Sequence, residues 1–413
     1  MSANSHSPVM PITRRIAWVM WSIASIFYAY QYILRVMPNI MLTDMMQQFN
    51  MDAALFGQFS GAYYIGYCLM HLPIGILLDR HGPKKIMTLC ILLTVVGLLP
   101  IVLAKHWIYP IIGRLLIGVG TSAAILGVFK IIRMTFSEQR FTRMLSFSVT
   151  IGLIGGIYGG IPVSYLCESY GYQIVIQIFA ILGVLLAITT YLIVPEIKSD
   201  HKTTVVADLK TVFTNKKVIL LCCLAGLMVG PMEGFADAWG SEFLKQVYGL
   251  DVQTANYLTS MIYIGMCFAP FLSRIAEKTG YYLGVITVAG LIMFGIFTLL
   301  TTGTMGINSI TIGFFIVGIC CAYQILAIYK ASTYVPENVV GLTTAVANMI
   351  IMSFGYAFHS VIGIVIKLYD DSGNAIAFNY GIRIIPITLI IGAIGFLILS
   401  YQEKHSFLGE VHA

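Results

Sequence analysis

Charge is scarce in this chain: 10% of its 413 residues are Asp, Glu, Lys or Arg, against about a quarter in a soluble globular domain. With 58% hydrophobic residues and a mean hydropathy of +0.86, that deficit excludes a water-soluble fold, because apolar surface on this scale needs hydrocarbon as its solvent. A basic face is also lacking. The net charge is +6, but the lysines and arginines sit in short gaps between long apolar runs, which excludes a nucleic-acid partner. The eight cysteines, Cys222–Cys223 and Cys320–Cys321 among them, lie mostly inside those runs. Their spacing fits neither a metal site nor a disulfide framework, so they read as small apolar fillers and no metal is expected. There is no clustered His and acid motif, nucleophile elbow, phosphate loop or ATP-binding motif. No catalytic residue, enzymatic activity, cofactor or ATP-driven pump is therefore expected. No N-x-[ST] acceptor occurs, which suits a bacterial inner membrane. The polar start MSANSHSPVMPITRR, with no small-residue site after the first apolar run, argues against a cleavable signal peptide.

What the chain does have is apolar runs of spanning length, which is roughly 20 residues for an α-helix. Twelve are predicted, at 16–41, 56–78, 86–104, 109–132, 144–166, 174–194, 218–240, 256–275, 282–302, 307–330, 341–366 and 381–400. They are too long and too uniformly apolar for the alternating strands of a membrane barrel. The expected fold is an all-α membrane protein of twelve transmembrane helices in two pseudo-symmetric six-helix bundles. Residues 16–194 and 218–400 form the bundles, 195–217 a cytoplasmic linker, and 1–15 and 401–413 cytoplasmic tails. With the N-terminus inside, the inner segments hold 16 of the 24 Lys and Arg residues. The outer segments hold Lys105, Lys245, Lys367 and Arg383, while Arg35, Arg114, Lys130 and Lys330 lie within spans. This bias places both termini in the cytoplasm.

Two internal matches agree on one offset. GVGTSAAILGVFK at 118–130 aligns with GICCAYQILAIYK at 318–330, and YIG at 64–66 with YIG at 263–265. They pair the fourth span with the tenth and the second with the eighth, as a six-plus-six duplication requires.

Between the second and third spans the chain reads Gly75-Ile-Leu-Leu-Asp79-Arg80-His81-Gly82-Pro83-Lys84-Lys85. This resembles the signature loop of the major facilitator superfamily, G-x-x-x-D-[RK]-x-G-R-[RK], with Pro83 where Arg is usual. Arg114-Leu-Leu-Ile-Gly118 resembles the family's R-x-x-x-G, and the fifth span is Gly-rich as in many members but lacks the Gly-Pro pair of drug antiporters. The second copy of the loop, Ser273 to Gly280, is eroded. Tyr30 to Pro38, with Tyr67 and Pro73-Ile-Gly75, is similar to the organic-anion symporter and phagosomal nutrient transporter branches, although Leu34 stands where anion symporters carry an Asp. The resemblance implies the major facilitator fold and alternating access. Gly75 is expected to let the second span approach a neighbour. Asp79 is expected to bond a helix N-terminus or an Arg across the halves as a latch, with Arg80, Gly82, Lys84 and Lys85 at the anionic inner leaflet.

Ionisable residues inside spans carry a functional hypothesis by default. Tyr28, Gln31, Tyr32 and Arg35 share one helical face, and a guanidinium there suits a carboxylate or phosphate; the alternative for Arg35 is snorkelling to the headgroups. Glu233 and Asp237 also share a face, four residues apart. Two carboxylates so close in low dielectric make one of them a proton carrier or a partner for a substrate amine. Gly230, Pro231, Gly234 and Gly240 weaken that helix and fit a bending gate. Arg114 is expected to pair with a carboxylate in another conformational state, or to serve only as a packing tie within the N-terminal bundle. Lys130 and Lys330 either line the inner gate or snorkel. Tyr64, Tyr263, Tyr323 and Asn348 are expected to line the pathway, and His359 to be a satisfied core residue.

These features point to a secondary active transporter that takes up a small polar, carboxylate-bearing solute (amino acid, short peptide or organic acid) with protons, the proton gradient being the energy source. The alternatives are export of a siderophore or drug, and a non-transporting membrane sensor. The expected partners are that solute and the lipid bilayer, with the protein working as a monomer.

Overall fold

The computed structural model describes residues 13–196, 205–336 and 339–411. Most of the N-terminal tail, the middle of the linker with Lys198 and Lys202, and the last two residues lie outside them. Helices account for nearly all of the rest, and no strand occurs among the described residues. The N-terminal half comprises α1 (Arg14–Phe49), α2 (Ala53–His81), α3 (Pro83–Leu103), α4 (Ile108–Thr135), α5 (Glu138–Tyr170) and α6 (Tyr172–Ile193). A short linker helix, Val205–Thr214, precedes the C-terminal half. That half comprises α7 (Lys216–Tyr248), α8 (Val252–Thr279), α9 (Tyr282–Leu300), α10 (Ile307–Ser332), α11 (Val340–Leu368) and α12 (Asn374–Lys404). Eleven of the twelve are long and apolar enough to cross a membrane. The twelfth, α1, has 36 residues, about 54 Å at 1.5 Å per residue, but Gln31, Arg35, Asn39 and Asp44 dilute its apolar stretch.

Local chemistry sets the corners. Asp52, Asn215 and Asp251 cap α2, α7 and α8 by accepting from Leu55, Lys217 and Thr254 N–H at 2.8, 3.1 and 3.0 Å. Such caps satisfy donors that a helix start leaves orphaned. Gly82 turns at φ 77°, and Pro83 takes the first position of α3. Proline is favoured there because its missing N–H would be unused. Five helices, α1, α5, α7, α8 and α12, overrun their expected bounds by four residues or more. In α7 the segment Phe235–Trp239 forms a π turn, and the helix passes through its Gly- and Pro-rich stretch to Tyr248 instead of ending at 240.

The duplication is built into the packing. A Cβ at Gly66 of α2 would overlap the Leu115 carbonyl of α4, and one at Gly118 would overlap the Tyr63 carbonyl. In the C-terminal half Gly265 and Gly318 stand in the same relation to the carbonyls of Phe315 and Ile262. Both matched motifs are therefore helix crossings where only glycine fits. Gly75 is different: a Cβ there would meet nothing nearer than Leu126 Cδ1 at 3.8 Å, so its expected role in close approach is not seen.

The halves meet through α1 with α7, α2 with α11 and α5 with α8. The polar contacts between them lie at the centre and toward the end carrying Asp52 and Lys367. There Asn39 Nδ2 donates to Ser241 Oγ at 3.0 Å, Asn256 Nδ2 to Ser164 Oγ at 2.8 Å and Gln253 Nε2 to Glu168 Oε2 at 2.6 Å, and Lys367 pairs with Asp52 at 2.7 Å. At the opposite end two ion pairs each join residues of one half. Lys130 Nζ reaches Asp79 Oδ1 at 2.8 Å, and Lys330 Nζ reaches Glu403 Oε2 at 3.0 Å. The polar contacts between the halves described here thus lie at the centre and toward the Asp52 end.

Candidate functional site

The site forms where α1, α2, α7, α8 and α11 converge at the base of the seal. Arg35 is 6% exposed, and its guanidinium lies between two carboxylates of α7. Nε donates to Asp237 Oδ2 at 2.7 Å, and Nη2 pairs with Glu233. This geometry excludes snorkelling for Arg35. It also changes the reading of Glu233 and Asp237, whose mutual repulsion is offset by a shared cation. Tyr64 donates to Glu233 Oε2 at 3.0 Å and to Asp237 Oδ2, and Tyr263 donates to Asp237 Oδ1. Asp237 is fully buried and accepts at both oxygens, as a buried charge must. Arg35 also lies 5.0 Å from the Tyr32 ring centroid, and Tyr32 packs edge-on to Tyr28 at 5.2 Å. Gln31 donates to the Tyr63 hydroxyl at 2.9 Å.

In this conformation Arg114 pairs with no carboxylate among the described residues. Its Nη1 donates to the Leu34 carbonyl at 2.5 Å and its Nη2 to the Arg35 carbonyl at 2.7 Å, with the guanidinium over the Tyr63 ring. The cause lies in α1. Pro38 has no N–H, so the Leu34 carbonyl four residues earlier loses its helical donor, and Arg114 supplies one. The effect is to hold the α1 backbone at Arg35. Bonded to the Arg35 carbonyl, Arg114 joins the same centre, so the site holds two guanidinium groups and two carboxylates.

A small cavity lies against these carboxylates in the C-terminal half, lined by Met232, Glu233, Tyr263, Tyr323 and Gln324. The Tyr323 hydroxyl is buried without a partner among the described residues. Asn348 is half-buried and accepts from Gln324 Nε2 at 3.4 Å. A larger recess of about 460 Å³ lies on the circumference between α3 and α6, walled mostly by Leu89, Leu92, Ile188 and Leu192. Its apolar wall fits hydrocarbon and places it outside the site.

The gating residues lie apart from this centre. Asp79 bonds Lys130 of its own half, not an Arg across the halves. Arg80 is exposed, and Lys84 lies 4.5 Å from the Tyr191 ring centroid. Lys130 and Lys330 each hold a carboxylate and so neither snorkel freely nor stand bare in a gate. His359 is not a satisfied core residue: its Nδ1 is 2.7 Å from the Gly355 carbonyl, but Nε2 has no partner among the described residues. Sequence reasoning missed Tyr63, His359 and the sealing set Asn39, Ser241, Asn256 and Ser164. One signal was available for the seal. Asn39 and Ser241 are 202 residues apart, as are Arg35 and Asp237.

Comparison with known proteins agrees with this architecture. The chain is 25% identical over 343 residues to the uncharacterized transporter YybO of Bacillus subtilis (strain 168), covering 73% of this chain and 75% of that one. Among solved structures, a bacterial homolog of the human lysosomal transporter Spinster, in an inward-facing and unoccupied conformation, superimposes with a TM-score of 0.74 at 16% identity, covering 94% of this chain and 98% of that chain. A mutant form of the nucleoside transporter NupG gives 0.75 at 16% identity, covering 92% and 99%. The family description Major Facilitator Superfamily matches residues 21–359. With twelve helices in two related halves and a charged centre between them, the chain is an integral membrane transporter and belongs to the Major Facilitator Superfamily.

Proposed function

We propose that this transporter is a proton-coupled symporter that takes up a small polar solute bearing a carboxylate: an amino acid, a short peptide or an organic acid. The observation that carries this reading is Arg35 held between Glu233 and Asp237 at the junction of the halves. Arg35 and Arg114 balance Glu233 and Asp237 when both acids are ionised. A proton on Glu233 weakens its hold on Arg35 and leaves the centre one positive charge in excess. A substrate carboxylate that takes the vacated side of the Arg35 fork restores the balance. Proton and anion then stabilise one another in a low-dielectric site, which is the thermodynamic basis of symport.

Tyr263, Tyr323 and Gln324, around a cavity beside Glu233 that holds about one water in this conformation, would give the rest of such a solute hydrogen-bonding groups once that space widens. The bias of basic residues puts the Asp79 end, and both termini, on the cytoplasmic side of a bacterial inner membrane. On that orientation the sealed Asp52 end is the outer one. One chain supplies both halves, so it works as a monomer.

Uptake into proteoliposomes tests this, with and without an inward proton gradient, across labelled amino acids, dipeptides, nucleosides and organic acids. The expected result is gradient-driven accumulation of one carboxylate-bearing class, lost in Arg35→Ala and Glu233→Gln. Accumulation that ignores the gradient, or survives both substitutions, overturns the reading.

A further inference from the structure

We propose that His359 is the group that takes the coupling proton from the outer side, and that the α2–α11 seam gates its access. This inference rests on the proton-coupled reading above. His359 is 0% exposed. Its Nδ1 lies 2.7 Å from the Gly355 carbonyl, so Nδ1 carries the hydrogen and Nε2 presents a lone pair. That lone pair has no donor among the described residues. The neighbouring carboxylate Asp237, by contrast, accepts from Arg35 and from both Tyr64 and Tyr263. The imidazole therefore presents a basic nitrogen with an unoccupied proton site among the described residues.

The groups facing it are specific. On α2 the Tyr64 ring lies 5.1 Å away, centroid to centroid. From α7 come Asp237 and Trp239, whose indole N–H donates to the His359 carbonyl at 3.2 Å. Arg35 of α1 and Arg114 of α4 act on it electrostatically.

The seam controls access. A Cβ at Gly57 would overlap the His359 carbonyl, and one at Gly363 would overlap the Ala53 carbonyl, so α2 and α11 are in backbone contact on the outer side of the ring. A proton from outside reaches Nε2 only when these helices separate. It then forms an N–H bond at Nε2 while Nδ1–H stays on Gly355, giving imidazolium. On reclosure that N–H bond breaks, an O–H bond forms on Glu233 or Asp237, and His359 returns to its neutral form.

The test uses ¹⁵N-histidine NMR of the full-length protein in lipid across pH 5 to 8 (the window in which an unperturbed imidazole titrates), with His359→Gln assigning the signal. In the parent, one imidazole should keep the Nδ1–H form throughout. In Gly57→Leu or Gly363→Leu, which force the seam apart, the same signal should titrate. A second arm measures gradient-driven accumulation against external pH. His359→Gln should accumulate at most a tenth of the parent level, with a flat pH profile. Titration of His359 in the sealed parent, its silence in both seam variants, or a parental pH profile in His359→Gln overturns the proposal. A parent that accumulates without regard to protons overturns the symport reading instead, and the two failures are thereby told apart.

Discussion

Tyr64 and Tyr263 occupy equivalent places in the two halves, 199 residues apart, and both donate their hydroxyls to one carboxylate, Asp237. The duplication therefore converges on a single acceptor. Neither half holds Asp237 alone, so its hydrogen bonding reports on whether the halves are together, which is the requirement for coupling a buried charge to a rocking motion.

Removing either hydroxyl should have a similar effect. Tyr64→Phe and Tyr263→Phe each delete one donor to a buried carboxylate, a loss of about 1.5 to 3 kcal/mol for a charged hydrogen bond. Each should lower the rate of substrate exchange by about ten- to a hundredfold, since 1.4 kcal/mol is a factor of ten. In the double variant the losses should not add, because both act on one group. Initial exchange rates in proteoliposomes measure this, and strict additivity would show that the two tyrosines act independently.

Arg114 should matter through α1. Arg114→Met leaves the Leu34 carbonyl without a donor and should destabilise the protein by about 1 to 3 kcal/mol. Pro38→Ala restores an N–H at the position that can serve that carbonyl. The pair should therefore be less damaging than the sum of its parts, by about 1 kcal/mol in a double-mutant cycle of thermal stability in detergent. No coupling between the two positions would sink the account of Arg114 as the partner of a proline-freed carbonyl.

The helix crossings give a contrast within one helix. Gly66→Ala and Gly318→Ala drive a Cβ into a backbone carbonyl, and should each destabilise by about 1 to 3 kcal/mol and lower the melting temperature by several degrees. Gly75→Ala places its Cβ 3.8 Å from Leu126 and should leave the melting temperature unchanged. Fluorescence-detected unfolding of the three variants checks this directly.

The seal carries a pH limit. Asp52 loses solvation on burial, which raises its carboxyl pKa. The Lys367 ammonium and the Leu55 N–H outweigh this and hold the group below the usual carboxylate range. A depressed pKa means the pair supports the sealed state above the ordinary carboxylate pKa, and that support is lost as pH falls through the lowered value. The pair should thus be intact across pH 5 to 8. Asp52→Asn should shift the equilibrium toward opening at every pH in that window, by no more than about 1 kcal/mol because the pair is partly exposed. Spin-label distances between the α1–α2 and α11–α12 corners read the shift. A seal that loosened between pH 8 and 5 in the parent alone would contradict this.

The solvent, the helix count and the duplication were all legible in the order of residues. Apolar runs of spanning length admit few other structures in a bilayer, and equal offsets between YIG and its repeat mark two related halves. Arg35, Glu233 and Asp237 also stood out, because charge inside a span is rare enough to be noticed. How these groups combine came from the packing of the helices. Arg35 is 202 residues from Asp237 and Arg114 is 79 residues beyond Arg35, so no local periodicity relates them. A single sequence gives the face of a helix but not the helix it faces. The partner of Asp79, the donor for the Leu34 carbonyl and the bare nitrogen of His359 all depend on which neighbours come within about 3 Å, and that is a property of the whole fold.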